Sequence, residues 1–472
     1  HHLLGSLIFE RMPGLVAALR KDQYGELFAA GLFCLVGFGA KAGMYPLHIW
    51  LPKAHPVAPA PASALLSGIL TKSGIFGILV TSRYLFFSSA DWNMVILVSG
   101  TITMVLGAVL ALFSINLKRT LACSSMSQIG FVLVGVAMQG YLGAENALAA
   151  WGTVLHMLNH GLIKLVLFVS AGVVYLGTHS LNLNDIRGWG RNKPMLKTVF
   201  FIGAAAIAGV PGTSGYISKT LLHESIVEYI HELEHLGISA AGFQTVEWLF
   251  LISGGLTAAY MTKLFAAIFL ERRAEKQKFN AREYMAPATQ VTVGLTAFLL
   301  LALGLTPWAS MQTIAESSSI FLRAGEHHGR IQYFSWINLQ GALISLAIGA
   351  AIYVLLVRTV FRKKTADGAA YPDLWPEKLD LEDLVYRPVV KGLAFVGALC
   401  ARVSAGIGDF LVLAGEKLLY LKAPGVFVPK KNENFGVYAR KPKRFLIGET
   451  FAFDLTLAGV GLIGALTYII FQ

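Results

Sequence analysis

The chain has 472 residues, of which 55% are hydrophobic and 14% charged, with three cysteines and a formal net charge of +12. A soluble domain carries about 25% charged residues, so the composition excludes an ordinary soluble globular protein. The basic excess does not point to nucleic acid, because the lysines and arginines sit between apolar runs, where they orient a membrane protein.

Apolar runs of about 20 residues or more recur, the length a helix needs to cross a bilayer. Lipid offers no partner to a backbone polar group, so these runs are predicted helices, and the short alternating strands of a β-barrel are not visible. Ten spans are expected, at 26–52, 61–86, 94–116, 119–139, 146–177, 195–229, 245–270, 286–307, 336–361 and 448–471.

The first residues, "HHLLGSLIFE", read as the tail of an apolar segment rather than a secretory signal. Residues 1–25 are therefore expected to be the end of an earlier helix and a loop, with the N-terminal part incomplete. The first span holds Lys41 and is interrupted by Pro46 in "GAKAGMYPLHIWLP". The second carries Lys72 near its middle, in "GILTKSGIF". The fifth contains "LHMLNHGLIKLVLF", where His156, His160 and Lys164 follow one another at intervals of four. The sixth is interrupted in "GVPGTSGYISKT" by Pro211, among Gly209, Gly212 and Gly215; Lys219 follows the break, and His223 and Glu224 lie a turn beyond as a candidate outer exit. The seventh holds Lys263 close to its basic end, where its ammonium is expected to snorkel to the membrane surface.

The core at 26–361 is followed by a different region, 362–447, which opens polar with "TADGAAYPDLWPEKLDLEDL". From 382 to 422 apolar residues mix with Arg387, Lys391, Arg402, Asp409, Glu416 and Lys417, too many charges for a comfortable span. An amphipathic helix lying along the membrane or along partner subunits is expected instead, about 60 Å long and bent at Pro388. The basic tract "PKKNENFGVYARKPKR" leads to the last segment, 448–472.

Basic residues divide unequally between the two sides of the predicted spans. Lys53, Lys118, Arg119, Arg187, Arg191, Lys193, Lys197, Arg272, Arg273, Lys276, Lys278, Arg282, Arg362, Lys363 and Lys364 fall on one side, and few fall on the other. That side is expected to be cytoplasmic, together with the lateral helix, in a multi-pass protein of the cytoplasmic membrane. The opposite side carries the acidic "HESIVEYIHELEH".

Proline removes a helical hydrogen bond and glycine tolerates the bend. Broken helices occur at membrane depth where they are buried or line a wet cavity, and in transporters their freed backbone groups often face ions. A packing kink is the alternative for either break, but each stands close to a lysine. Residues four apart share a helix face, so His156, His160 and Lys164 form a ladder with steps of about 6 Å. An ionisable group at the bilayer centre costs about 3 kcal/mol or more and normally faces the protein interior. Loss of water weakens an ammonium's hold on its proton. Two lysines about 7 Å apart repel by roughly 2.4 kcal/mol at an effective dielectric of 20, so protonating one can expel a proton from the next. Histidines between them relay through water. Lys41, Lys72, His156, His160, Lys164 and Lys219 are thus the candidate proton path.

Two histidines four residues apart can also hold zinc. No Cys, Asp or Glu accompanies His156 and His160 at their depth, and Lys164 would repel a cation, so no metal site is expected. Cys34, Cys123 and Cys400 are widely separated, match no metal or iron–sulfur spacing, and are expected to pack. No phosphate-cradling glycine loop and no nucleophile–base pair is visible. No redox or hydrolytic centre is expected in this chain.

Three motifs, "KAGMYPLHIWLPKAHPVAPAPASALLSGILTKSGIFGI", "LKRTLACSSMSQIGFVLVGVAMQG" and "LHMLNHGLIKLVLFVSAGVV", resemble the proton-translocating antiporter-like module. That module is shared by respiratory complex I, Mrp antiporters and membrane-bound group 4 nickel–iron hydrogenases. The resemblance covers about residues 26–270. It implies an all-α polytopic fold with two inverted five-helix repeats, each with a broken helix, followed by a lateral amphipathic helix and a final transmembrane helix. On it, Lys41 matches the lysine of the first broken helix, which the family pairs with a glutamate on an earlier helix. His156, His160 and Lys164 match the central axis, and Lys219 matches the ionisable residue leading to the outer half-channel.

"KAHPVAPAPASALLSGILTKSG" and "SKTLLHESI" are most similar to the hydrogenase-type subunits. This implies an energy-converting or formate hydrogenlyase-like complex that moves protons or sodium ions. Its nickel–iron site and iron–sulfur clusters would lie in partner subunits, on a hydrophilic arm beside other membrane subunits. A complex I or Mrp subunit is the alternative, and a subunit that keeps the fold without conducting is another.

Overall fold

The computed structural model describes residues 3–6, 8–272, 284–322, 324–325, 331–365, 368–375 and 382–422. After the short α1 (Met12–Ala17), α2 (Lys21–Ala42) runs into a break and resumes as α3 (Trp50–Val57). α4 (Ala60–Leu65) and α5 (Thr71–Leu85) form one span joined by a π-helical turn at Leu66–Leu70. α6 (Ala90–Phe113), α7 (Leu117–Leu142) and α8 (Leu148–Thr178) follow, then the single turn α9 (Leu183–Ile186). The second break separates α10 (Pro194–Ala208) from α11 (Ser214–His235). α12 (Ala241–Phe265), α13 (Pro287–Leu305), α14 (Met311–Leu322) and α15 (Trp336–Ile352) complete the bundle, and α12 and α15 each end in a π-helical turn. A small antiparallel hairpin, β1 (Lys363–Thr365) with β2 (Gly368–Ala370), follows.

Helices lie over each expected span from 26 to 361, but the stretches 26–52 and 195–229 are each divided by a break, α10 is a shorter apolar helix, and α14 is an addition that the apolar pattern did not separate. Among the described residues nine helical stretches are long and apolar enough to cross a membrane. The predicted span 448–471 lies outside the described residues.

Both breaks use the same device. Gly43 (φ 80°) and Gly209 (φ 81°) end their helices in the left-handed conformation, which costs glycine nothing. The next amide turns back to the helix, Met44 N to Gly39 O at 2.9 Å and Val210 N to Ala205 O at 3.0 Å. A further freed carbonyl at each break receives a side chain. The Trp50 indole donates to Ala40 O at 2.8 Å, and the Lys219 ammonium donates to Ile207 O at 2.8 Å.

The helix α7 is the most enclosed of the membrane-length helices among the described residues. Its most apolar stretch is buried throughout, and every residue from Leu117 to Gln139 except Arg119 is buried. It packs on α6 through glycines: a Cβ on Gly130 would lie 2.2 Å from Met104 N, and one on Gly107 would lie 2.4 Å from Ser127 N.

Loops gather at the two ends as the alternation of spans requires. At one end Leu117 N donates to Leu181 O, Gly188 N donates to Ala267 O, and Glu271 lies 2.8 Å from Arg362 and 4.0 Å from Arg187. Tyr371 donates its hydroxyl to Glu271 at 2.8 Å and exchanges two hydrogen bonds with Asn184. Burial, and then the Glu271 carboxylate, push the Tyr371 hydroxyl above its ordinary pKa. At the other end Gln139 donates to Leu322 O, Tyr84 donates to Phe321 O, and Tyr141 packs tilted against Tyr229 and edge-on against Phe243.

Residues 376–472 form a second compact unit. Its described part is a π-helical turn, Glu382–Tyr386, and α16 (Arg387–Lys422). Arg387 pairs with Glu382 and Asp383 at 3.3 and 2.7 Å. Pro388 is the second residue of α16, directly after the π-helical turn. The stretch Glu382–Leu411 is long and apolar enough to cross a membrane, so its charges do not forbid a crossing. At 1.5 Å per residue α16 is about 54 Å long, well beyond a bilayer core of about 30 Å.

Candidate functional site

The ladder on α8 is buried: His156 and His160 are each 1% exposed and Lys164 is 0% exposed. The two imidazoles lie nearly parallel with centroids 6.5 Å apart, the step expected for helix positions i and i+4. His156 meets Gln128 Oε1 through Nε2 at 3.1 Å and Ser218 Oγ through Nδ1 at 3.0 Å. A glutamine oxygen only accepts, so Nε2 carries the proton and Nδ1 of the neutral ring accepts from the serine. Asn159 supports the same serine at 3.1 Å and donates to Ser214 O at 2.7 Å, just past the second break.

His160 is reached from another helix. The Lys72 ammonium, on α5, bonds to His160 Nδ1 and donates to Ser67 O at 2.5 Å. The π-helical turn explains the geometry. An inserted residue frees the Ser67 carbonyl from the regular ladder, and Thr71 Oγ1 and Lys72 Nζ take it. Gly68 and Gly161 bring the two helices together, since a Cβ on Gly161 would stand 3.1 Å from Gly68 O.

Lys164 does not continue the ladder by direct contact. Its ammonium donates to Leu121 O at 2.8 Å on α7. That same carbonyl accepts from Ser125 Oγ at 3.0 Å, and Ser125 Oγ lies 2.6 Å from Ser67 Oγ. The route from Lys72 to Lys164 is therefore lined by two serine hydroxyls.

Lys219 is 8% exposed and caps the second break, with its ammonium 4.7 Å above the Phe131 ring. Beside it is a cavity of about 30 Å³, room for one water, lined by Lys219, Thr220, His223, Asn338 and Ser345 among others. His223 pairs with Glu247 at 3.2 Å. Glu224, the other candidate for the outer exit, is half-buried and does not line the cavity.

One expectation, for Lys263, is corrected. Lys41 is exposed on α2 and is not brought to the cluster by the described chain, and Pro46 in the first break is also exposed. Lys263 does not snorkel: it is 1% exposed, and its ammonium donates to Leu112 O and Ser114 O at 2.5 and 2.8 Å, at the carbonyl end of α6. Of the two candidate exit residues, His223 meets Glu247 across two helices.

Among the described residues no three His, Cys, Asp or Glu side chains converge as a metal site would require. Gln128, Ser67, Ser125, Asn159, Ser218 and Glu247 were missed as members of the site. The run "CSSMSQ", polar in the middle of an apolar span, was the available signal for the first and third.

The model of the family described as "NADH:quinone oxidoreductase/Mrp antiporter, TM" matches residues 1–246. Hydrogenase-4 component B of Escherichia coli (strain K12) is 34% identical over 312 residues, covering 64% of this chain and 45% of that protein. NAD(P)H-quinone oxidoreductase chain 4 1 of Synechococcus elongatus is 37% identical over 246 residues, 52% of this chain and 43% of the relative. The chain thus spans about half the length of the curated relatives it matches. A chain of the Mrp complex from Dietzia sp. DQ12-45-1b superposes with a TM-score of 0.61 at 22% identity, over 91% of this chain and 44% of that one, a likeness of fold. With the family's sequence pattern over more than half its length and the helical architecture to match, the chain is a multi-pass, antiporter-like member of the NADH:quinone oxidoreductase/Mrp antiporter family.

Proposed function

We propose that this chain conducts protons across the membrane along its buried Lys/His row, as an ion-translocating subunit of a redox-driven complex. The observation that carries the reading is the contact between the Lys72 ammonium and the His160 imidazole inside the bundle. Either group can hold the proton: an ammonium donates to Nδ1, and an imidazolium donates to a neutral amine. The path runs from Lys164 past Ser125 and Ser67 to Lys72, then His160, His156 and Ser218, and reaches the outside by Lys219 and His223. Backbone carbonyls accept but do not pass protons, so the serine hydroxyls and water complete the links. Lys41 takes part only when a group from outside the described chain covers α2. Sodium is the alternative ion.

The basic end is assigned to the cytoplasm, with the lateral α16 lying along the membrane or along partner subunits on that side. The identity with hydrogenase-4 component B favours a membrane-bound nickel–iron hydrogenase or formate hydrogenlyase-type complex, whose nickel–iron and iron–sulfur groups lie in partners. The identity with a quinone oxidoreductase chain favours a complex I-like assembly as the second reading. Identifying the subunits that copurify separates the two.

The test of conduction is Lys164→Ala in the purified native complex, reconstituted into vesicles with a pH-sensitive dye. Acidification is expected to fall at least about tenfold, the scale of a lost proton carrier. Unchanged acidification at equal complex content would refute conduction by this row.

A further inference from the structure

We infer that Glu247 on α12, rather than Glu224, is the outer proton acceptor that empties the path, receiving from His223 on α11. This rests on the conduction reading above and adds its last step. His223 follows Lys219 by one turn on α11, so both side chains of the relay face the same side, about 6 Å apart at the Cβ atoms. Between them is the cavity, large enough for one water, with Thr220 and Ser345 in its lining. Asn338 Oδ1, also at this cavity, is buried without a hydrogen-bond partner among the described residues and offers that water an acceptor. His223 Nε2 then lies 3.2 Å from Glu247 Oε1.

The imidazole is held in that position by its neighbours. Gly341 on α15 leaves the space it occupies, since a Cβ there would stand 3.0 Å from the ring, and Phe250 packs 5.8 Å from it. His223 and Glu247 keep 16% and 25% of their side-chain surface accessible, so the pair stands at the mouth of the path rather than in its sealed interior. Glu224 is adjacent in sequence but about 100° around the helix, away from the cavity. In the step itself the Nε2–H bond of a protonated His223 breaks and an O–H bond forms on the Glu247 carboxylate. The carboxylic acid then gives the proton to bulk water, and His223 is free to accept the next one through the cavity water.

The experiment compares Glu247→Gln, Glu247→Asp and Glu224→Gln with Lys164→Ala in the intact complex reconstituted into vesicles, at equal complex content. Glutamine keeps the size and the hydrogen bond to His223 but cannot take up a proton. The expected result is a loss of about threefold or more in Glu247→Gln, with Glu247→Asp recovering at least about half the wild-type rate. A smaller loss in Glu247→Gln, or a loss that aspartate does not restore, overturns the inference, as does a loss in Glu224→Gln alone. If Lys164→Ala conducts like wild type, the conduction reading has failed. If Lys164→Ala is dead and Glu247→Gln is normal, only the exit assignment has failed.

Discussion

Lys72 Nζ is hydrogen-bonded to His160 Nδ1 where α5 and α8 are drawn together by Gly68 and Gly161. The lysine and the histidine are 88 residues apart in the sequence. His160→Ala is expected to lower ion movement at least about tenfold in reconstituted vesicles while leaving the amount of complex unchanged. Gly161→Val is expected to do the same for a different reason, by pushing the Gly68 carbonyl away and separating the pair. A Gly161→Val complex with wild-type rate would show that the contact is not needed.

Ser125 supplies one of two hydroxyls between Lys72 and Lys164. Ser125→Ala removes a buried hydroxyl and leaves Ser67 Oγ without it, which costs about 1–3 kcal/mol when a buried polar group loses its partner. The expected result is slower ion movement, and a double-mutant cycle with Lys72→Ala in which the two losses do not add. Full additivity would place Ser125 off the path.

Lys219→Met keeps the length and volume of the side chain and removes the charge. It leaves the Ile207 carbonyl at the second break without its donor. Conduction is expected to be lost, with a fall of a few degrees in the melting temperature from the lost hydrogen bond, of about 1–2 kcal/mol. Lys219→Arg should keep the hydrogen bond and the fold but not conduction, because an arginine does not release its proton. Normal pumping in Lys219→Arg would mean that the charge acts only as a cap.

Gly130→Ala places a Cβ 2.2 Å from the Met104 amide nitrogen, a backbone atom that has no flexible side chain to move aside. Overpacking of this kind costs about 1–3 kcal/mol or more. The variant is expected to accumulate poorly in membranes and to melt several degrees lower. An unchanged melting curve would show that α6 and α7 separate easily.

Glu271 is 11% exposed and ties Arg362 and Tyr371 to the end of α12. Removing one partner of a buried ion pair costs about 3–5 kcal/mol when the other stays desolvated; here Arg362 is a third exposed, so the lower part of that range applies. Glu271→Ala is expected to open the segment after Arg362 to trypsin, read as faster cleavage at Arg362 and Lys363. Equal cleavage rates would show that the hairpin is held otherwise.

Span positions were legible because bilayer thickness sets a length that composition reveals, and the two breaks were legible because Gly and Pro have no substitutes there. His156 and His160 share a face by simple periodicity, and the 6.5 Å spacing of their rings follows from it. The partner of His160 was not legible, since contact with Lys72 depends on a helix crossing and on a π-helical turn that leaves no clear mark in the residue pattern. The same holds for Glu247, which is adjacent to His223 only in space. Lys263 was misjudged because depth in a span was counted along its own helix. Its ammonium finds carbonyls at the end of α6 instead of the membrane surface.

The enclosure of α7 changes what a substitution there means. On a lipid-facing helix a larger aliphatic residue helps insertion, but α7 has almost no outward side for such a residue to occupy. Its sequence therefore records the shapes of α6, α8, α3 and α11, and a change in it should be tolerated only when one of those neighbours changes with it.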